Sequence, residues 1–296
     1  MPSPQTAAAL QTIARDRARA GLTSDLFDAR ASRASLPPTS LPMPDGTEVT
    51  YEVEDALGLF RVRAPGAAAD RRIVYAHGGG FVTGGFHSHR SLAGWLSAAA
   101  RATVVFPEYR LAPEDRCPAA LDDVCVAVER AAALGADGRP APARSLWAAG
   151  DSAGGALVVG AMLRRRDAGM RLPSAAVIFC GMLDLDERRS QFLQATQRSR
   201  DQVRNYLASM SQLEDPYAAP LTAELAGLPP VLLQTASEDL CRHDAMRFAE
   251  SAAVHGVDAT VDEWSGMFHV WQRFAPELPE AVEALDRAGR FLMDRH

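Results

Sequence analysis

Short apolar runs, separated by longer segments of mixed polarity, fill the chain from about residue 46 onward. Val49–Val53 and Leu57–Val62 alternate apolar and polar positions, which predicts an antiparallel pair of half-buried strands. The other predicted strands are Ile73–Ala76, Thr103–Phe106, Ser145–Ala149, Ala175–Cys180, Val231–Ala236 and Val257–Trp264. All of these but the last are almost continuously apolar, as are strands that are buried on both faces of a sheet.

The segments between these strands carry helical patterns, several of which begin with proline or end with glycine. The predicted helices are Ser91–Ala100, Pro118–Leu134, Gly155–Ala168, His243–His255 and Pro276–Met293. Strands that alternate with helices predict an α/β fold, in which a mainly parallel central sheet is covered by helices on both faces.

Two segments break this alternation. Residues 1 to about 30 are rich in helix formers and precede the extended break Leu36–Pro38, whereas Asp184–Ser211 is polar, helix-prone and too long for a tight crossover. We expect residues 1–45 and 185–212 to form a helical cap over the carboxyl ends of the strands, where ligands bind in open α/β sheets. The core would comprise residues 46–184 and 213–296. A pair of solvated surface helices is the alternative for 184–211.

The composition excludes several function classes. The 296 residues are 47% apolar and 23% charged, which is typical of a soluble globular protein. All 31 basic residues are arginines, so the chain lacks the lysine of pyridoxal enzymes, phosphate-binding loops and kinases. The formal net charge of -6 argues against a nucleic-acid partner, which normally requires a basic surface.

The sequence predicts a cytoplasmic protein with no membrane span. The first twenty residues lack the apolar run of a secretory signal, and the longest apolar stretch, Ala156–Leu163, is far shorter than the roughly 18 residues that a span requires. The four cysteines have no CxxC spacing and no neighbouring histidine pair. We therefore expect them to be ordinary buried or half-buried thiols rather than disulfides or metal ligands.

A candidate nucleophile lies at the sharp turn between a predicted strand and a predicted helix. Gly150–Gly154 has the pattern G-x-S-x-G, which in this context presents a serine hydroxyl above the sheet. Small residues are required because the turn is strained and leaves no room for neighbouring side chains. The candidate is Ser152, whose hydroxyl would lie near the positive end of the helix dipole.

A serine nucleophile needs a general base, and the base needs an acid that fixes its tautomer. His269 follows the last predicted strand and is the best candidate among seven histidines, because His243, His255 and His296 lie at helix ends or at the terminus. The acid is Asp239 or its neighbour Glu238, since both leave the strand Val231–Ala236. The order serine, acid, histidine is that of α/β hydrolases.

The segment His77–Phe81, with the sequence HGGGF, follows a predicted strand directly and is a candidate oxyanion loop. The N–H groups of Gly79 and Gly80, together with that of Ala153, could stabilise a developing oxyanion, each by roughly 2.7 to 4 kcal/mol. A plain glycine-rich turn or a phosphate cradle is the alternative. A dinucleotide site is disfavoured because no GxGxxG fingerprint accompanies the loop.

These motifs together resemble those of the hormone-sensitive-lipase-like (family IV) esterases of the α/β hydrolase superfamily. The resemblance covers residue 46 to the end and is carried by HGGGF at 77–81, YRLAPE at 109–114, PAALDD at 118–123, GDSAGG at 150–155, Asp239 and the loop Gly266–His269. It implies the α/β-hydrolase fold, with the segments 1–45 and 185–212 as the family's cap.

The resemblance also implies roles for individual residues. Asp239 becomes the acid rather than Glu238, because it stands thirty residues before His269 as in the family. His77 becomes an organiser of the oxyanion loop, with Gly78 and Asp151 as further supporting residues. Three positions depart from the family pattern: Glu108 replaces an aspartate, Leu240 replaces a proline, and Cys180-Gly181 replaces a Ser-Pro pair.

The sequence thus predicts a serine carboxylesterase that hydrolyses short- to medium-chain esters through an acyl-enzyme. The sequence predicts no cofactor and no metal. His87 and His89 are the only closely spaced histidines, and no carboxylate or cysteine near them in the sequence could complete a metal site. The enzyme's partner is a small-molecule ester, and the sequence leaves a homodimer open. The candidate pocket residues are Phe81, Phe86, Met182, Met267, Phe268 and Trp271. A lyase or acyltransferase on the same fold is the alternative, and a non-catalytic ligand receptor is a third reading.

Overall fold

The computed structural model describes residues 3–6, 41–54, 56–135 and 137–295. The predicted N-terminal arm therefore falls outside the described residues, apart from its first few positions. Within the described residues, the strands form one eight-stranded sheet in the order β1-β2-β4-β3-β5-β6-β7-β8. The strands are β1 Glu48–Glu54, β2 Leu57–Arg63, β3 Ala68–Ala76, β4 Ala102–Pro107, β5 Ser145–Asp151, β6 Ala176–Phe179, β7 Val231–Ala236 and β8 Ala259–Trp264.

The strand directions agree with the sequence pattern. β1 pairs with β2 in antiparallel register, β2 pairs with β4 in the same way, and every other pair in the sheet is parallel. The four strands β4, β5, β6 and β7 are buried along their whole length, which explains their unbroken apolar sequences. The predicted fold class, a mainly parallel α/β sheet, is confirmed.

Helices cover both faces of this sheet. From residue 41 onward, the helices on and above the sheet are α1 Phe86–Ala100, α2 Ala119–Ala133, α3 Ala153–Asp167, α4 Gln191–Ala195, α5 Gln197–Tyr206, α6 Arg242–Val254 and α7 Pro279–Met293. One apolar cluster joins a face of the sheet to α1 and α7, and another joins the opposite face to α2, α3 and α6. The sheet is thus the middle layer of a three-layer sandwich.

Several predicted boundaries are wrong. β3 begins at Ala68 rather than Ile73, because its first residues are exposed or only partly buried and carry no apolar run, and α7 begins at Pro279 rather than Pro276.

Two further shifts follow from hydrogen bonds. Helix α1 begins at Phe86 rather than Ser91, because the carboxylate of Glu108 accepts the Phe86 N–H at 2.6 Å and so caps the helix from outside. Strand β8 begins at Ala259 rather than Val257, whose N–H still donates to the Ala252 carbonyl at the end of α6.

The segment between β6 and β7 rises above the carboxyl edge of the sheet. It contains α4 and α5 and then two short 3-10 turns, Met210–Glu214 and Pro220–Thr222. Tyr206, at the end of α5, stacks on Phe81 with ring centroids 3.8 Å apart. The helices of this segment therefore lie against the predicted oxyanion loop. Within the described ranges, no helix is both long and apolar enough to cross a membrane.

Candidate active site

The turn from β5 into α3 places Ser152 at the carboxyl edge of the sheet. Ser152 has a φ of 50°, in the left-handed region that non-glycine residues seldom occupy, and its N–H donates to the Phe179 carbonyl at 2.9 Å. A Cβ added to Gly154 would lie 2.0 Å from the Ala76 carbonyl oxygen. The glycine is therefore required for α3 to approach β3, as the sequence motif predicts.

Three residues from distant parts of the chain meet in one hydrogen-bonded line. Nε2 of His269 lies 3.0 Å from Oγ of Ser152, and Nδ1 of His269 lies 2.9 Å from Oδ1 of Asp239. The imidazole is about a quarter exposed, whereas Asp239 and Ser152 are buried. Ser152 can thus lose its proton to an imidazole that the carboxylate holds in position.

The carboxylate of Asp239 is kept ionised by its neighbours. Burial by itself would raise its pKa, but the attraction of His269 and hydrogen bonds from His269 and the Cys241 N–H outweigh burial, so the pKa lies below its usual value. The Cys241 N–H donates to Oδ1 at 3.0 Å. The rival acid Glu238 is exposed, and its carboxylate accepts from the hydroxyl of Ser237 at 3.2 Å.

The predicted oxyanion loop lies beside Ser152. Within the part of the chain that the structure describes, the N–H groups of Gly79 and Gly80 donate to no other group. Ala153 is the first residue of α3, where an N–H has no partner inside the helix. All three predicted donors are thus free to bind a ligand oxygen.

Asp151, next to the nucleophile, anchors this loop from below. Its Oδ1 accepts from the Gly78 N–H at 2.8 Å and from the Tyr75 hydroxyl at 2.7 Å, and its Oδ2 lies 3.3 Å from Nε2 of His89. Burial would raise the pKa of Asp151, yet His89 and these hydrogen bonds hold it well below the usual value. A buried carboxylate therefore ties the oxyanion loop, β3 and α1 together.

His77 is held by stacking rather than presented to a ligand. Its ring lies 4.2 Å from that of Tyr109 and 5.6 Å from that of Phe106, and its Nδ1 donates to the Gly78 carbonyl at 2.8 Å. Burial, together with the nearby His89, lowers the pKa of His77 to about 3, so the ring is neutral. This placement is consistent with the organising role that the resemblance implies.

Residues of α4 and α5 that the sequence did not single out complete the site. Phe192 stacks on His269 with ring centroids 5.6 Å apart. A Cβ added to Gly80 would lie 2.4 Å from Cδ of Gln202, so this amide packs directly on the oxyanion loop. One feature of the sequence could have indicated that Gln202 and Tyr206 act together: their i, i+4 spacing puts both side chains on one face of a helix.

A comparison with known proteins agrees with this geometry. Residues 73–273 match a family model described as the alpha/beta hydrolase fold. The chain belongs to this family. The chain is 36% identical over 236 residues to an acetyl-hydrolase of Streptomyces hygroscopicus, covering 77% of each chain. It is 34% identical over 277 residues to the carboxylesterase NlhH of Mycobacterium tuberculosis, covering 88% of this chain and 85% of that one.

Similarity to solved structures assigns this hydrolase to a narrower group of esterases. It is similar, with a TM-score of 0.88 and 32% identity, to an esterase from the bacterial hormone-sensitive lipase family, covering 100% of this chain and 99% of that one. It is also similar to EstE5, in a crystal soaked with p-nitrophenyl butyrate, with a TM-score of 0.86 and 29% identity, covering 99% and 98%. The predicted resemblance to hormone-sensitive-lipase-like esterases is therefore confirmed.

The six predicted pocket residues of this hydrolase lie in two different places. Phe81 and Met182 belong to the apolar cluster that contacts α4 and α5, and the Met182 N–H donates to the Ser152 carbonyl at 2.9 Å. The other four pack in the cluster beneath α1 and α7, where core packing accounts for them: Phe86, Met267, Phe268 and Trp271. The role of all six residues in a pocket stays a prediction.

Two of the three departures from the family pattern lie outside the hydrogen-bonded line. Glu108 caps α1, and the side chain of Leu240 is 44% exposed. Cys180 is different, because it is fully buried beside Asp239. The four cysteines are all free thiols, as the sequence predicts.

One set of potential metal ligands stands out among the residues that the structure describes. The ligand atoms of Cys180, Asp239 and His269 lie within 4.8 Å of one another. Nδ1 of His269 and Oδ1 of Asp239 already bind each other, and Sγ of Cys180 accepts the Val270 N–H at 3.2 Å. Nδ1 of His269 and Oδ1 of Asp239 are therefore already engaged within the hydrogen-bonded line to Ser152.

Proposed function

We propose that this α/β hydrolase is a serine carboxylesterase that acts on short- to medium-chain esters. The proposal rests above all on the line from Ser152 through His269 to Asp239, with its two contacts of 3.0 and 2.9 Å. The acetyl-hydrolase and carboxylesterase relatives, and the butyrate ester used with EstE5, support a short acyl group.

In the proposed reaction, Oγ of Ser152 attacks the ester carbonyl while Nε2 of His269 takes its proton. The carbonyl oxygen becomes an oxyanion that accepts hydrogen bonds from the N–H groups of Gly79, Gly80 and Ala153. His269 then gives the proton to the leaving alcohol, which departs and leaves an acyl-Ser152 ester. Water, deprotonated by the same imidazole, attacks this ester and releases the carboxylic acid and Ser152.

Asp239 acts on His269 and not on the substrate. Its ionised carboxylate holds the Nδ1–H tautomer, which leaves Nε2 free to accept the serine proton, and it stabilises the imidazolium that forms. Phe192 covers one face of the imidazole, and its apolar ring excludes water from that side.

We further propose that residues 185–212 act as a cap over this site. The stacking of Phe192 on His269 and of Tyr206 on Phe81 supports this role, because both contacts join the segment to the predicted catalytic machinery. A cytoplasmic location and a homodimer stay predictions of the sequence.

The proposal is tested with p-nitrophenyl esters of increasing acyl length, offered to the wild type and to Ser152→Ala. We expect the highest kcat/KM for short acyl groups and a loss of roughly 10⁴-fold or more in the variant. Variant activity close to that of the wild type, or no hydrolysis of any ester by the wild type, would contradict the assignment.

A further inference from the structure

Cys180 occupies an unusual position at the carboxyl edge of the sheet. It directly follows β6 with a φ of 50°, and its N–H donates to the Gln234 carbonyl of β7 at 2.8 Å. A non-glycine residue in this left-handed conformation is strained, and such strain persists where surrounding contacts fix it. The conformation places the thiol between the nucleophile turn and the strand that leads to Asp239.

The thiol contacts both the acid and the loop that carries the base. Sγ accepts the N–H of Val270, the residue after His269, at 3.2 Å. Sγ also lies within 4.8 Å of both a carboxylate oxygen of Asp239 and a ring nitrogen of His269. The thiol thus lies between the acid and the backbone that carries the base.

The two oxygens of Asp239 have different surroundings. Oδ1 accepts from His269 and from the Cys241 N–H. Oδ2 is buried and has no hydrogen-bond partner among the residues of the described ranges. A buried carboxylate oxygen without a donor is costly, so a donor beside it has a strong effect on the orientation of the carboxylate.

The thiol can supply that donor because it keeps its proton. Burial, reinforced by the charge of Asp239, raises the pKa of Cys180 well above the usual value. The N–H of Val270 points at the sulfur lone pair, which leaves the S–H proton free to turn toward the carboxylate. A donor at Oδ2 would keep the carboxylate from rotating about its Cβ–Cγ bond. Such a rotation would break the hydrogen bond between Oδ1 and His269.

We propose that Cys180 is a positioning residue: its S–H turns to donate to the otherwise unpartnered Oδ2 of Asp239, while its sulfur holds the backbone beside His269. It touches neither the substrate nor the nucleophile, and it acts on the reaction through the orientation of Asp239 and His269. The inference rests on the proposed esterase function and deepens it.

The test compares Cys180→Ala with Cys180→Ser. Both variants remove the sulfur and differ only in a hydroxyl, so the difference between them measures the polar contacts of this side chain, with Asp239 and with the Val270 N–H. We expect Cys180→Ala to lower kcat by about ten- to hundredfold with KM nearly unchanged, and Cys180→Ser to recover most of the loss. Cys125→Ala, which removes a half-buried thiol on α2, is the matched control and should keep wild-type kcat.

A second readout does not depend on ester hydrolysis. The proton between Nδ1 of His269 and Asp239 gives a downfield imidazole N–H resonance in proton NMR, which Asp239→Asn identifies by its disappearance. We expect this resonance to be broadened or lost in Cys180→Ala and kept in Cys180→Ser, with both variants folded by circular dichroism.

The outcomes separate the two proposals. An unchanged resonance and unchanged kcat in Cys180→Ala would overturn the inference about Cys180 while leaving the esterase intact. Equal losses in the alanine and serine variants would also overturn it, because packing of the sulfur would then explain the effect. A wild type that hydrolyses no ester would refute the proposed function, and the resonance would still decide the role of Cys180.

Discussion

Two neighbouring acids compete in the sequence for the role of orienting His269, and their surroundings differ sharply. Asp239 is buried and lies 2.9 Å from Nδ1 of His269, whereas Glu238 points to solvent. Only a buried carboxylate with fixed donors can hold an imidazole in one tautomer without competition from water. Substitutions of these two neighbouring acids can therefore be compared directly, with Glu238 as the control for Asp239.

We expect Asp239→Asn to lower kcat by roughly 10⁴-fold, because the amide would favour the wrong tautomer of His269. Glu238→Gln should stay within about twofold of the wild type, since its side chain is exposed. Steady-state kinetics on one p-nitrophenyl ester measure both. A severe loss confined to Glu238→Gln would assign the acid to the other residue.

The candidate site was predictable from the sequence where its chemistry requires particular residue types at fixed, short spacing. The elbow around Ser152 and the glycines of the oxyanion loop need small residues at fixed spacing, so the sequence reveals them. Asp239 needed the family resemblance, because two acids stand side by side. Cys180 and Gln202 were not predictable as contacts, since nothing in a local pattern says which distant groups a side chain will reach.

Helix α5 and the oxyanion loop behave as one packed unit. Gln202 and Tyr206, one turn apart, contact Gly80 and Phe81 respectively. Gly80 has a φ of 64°, and the space where a side chain would project is filled by the amide of Gln202. The position of the loop therefore depends on the helix above it.

Gly80→Ala should lower kcat/KM by at least about tenfold, because the new methyl group must displace Gln202 or move a proposed oxyanion donor. Adding Gln202→Ala should recover part of this loss, since the collision is with a flexible side chain. The strain of alanine at positive φ would remain. A double-mutant cycle on kcat/KM measures the coupling, and strictly additive effects would contradict the proposed contact.

The sheet was more predictable than its edges and its upper layer. Continuous apolar runs predicted the buried strands because both of their faces must avoid water. Helix α1 begins five residues earlier than predicted because Glu108, distant in sequence, caps it. The contact of Phe192 with His269 depends on tertiary packing of a polar segment, where hydrophobic periodicity is too weak to indicate a partner.

Stability of the whole molecule should depend on one buried acid outside the site. Asp244, on α6, is fully buried, and its Oδ2 accepts the N–H groups of Leu183 and Asp184 at 3.0 Å. Burial raises its pKa to about 7. Between the unfolded value near 4 and pH 7 the folded protein binds a proton that the unfolded chain has lost, so this contribution to stability falls as the pH rises through that window.

Asp244→Asn stays neutral and keeps an oxygen for the two N–H groups. We expect the free energy of unfolding of the variant to rise relative to that of the wild type as the pH increases from 4 to 8. The total change is up to about 4 kcal/mol, at about 1.4 kcal/mol per pKa unit. Urea unfolding at a series of pH values measures the difference. Asp286→Asn, at an exposed position of α7, is the control. A difference between variant and wild type that does not change with pH would contradict the assignment.

The central claim is that Ser152 is the nucleophile of an ester hydrolase, and covalent labelling tests it most directly. The wild type would be treated with a p-nitrophenyl alkylphosphonate, with activity, released nitrophenol and intact mass followed together, and the adduct then mapped by peptide mass spectrometry. We predict one equivalent of nitrophenol, one phosphonyl group on Ser152 and loss of activity in proportion to labelling. Full inactivation with the label on another residue, or full esterase activity after Ser152 is labelled, would contradict the account.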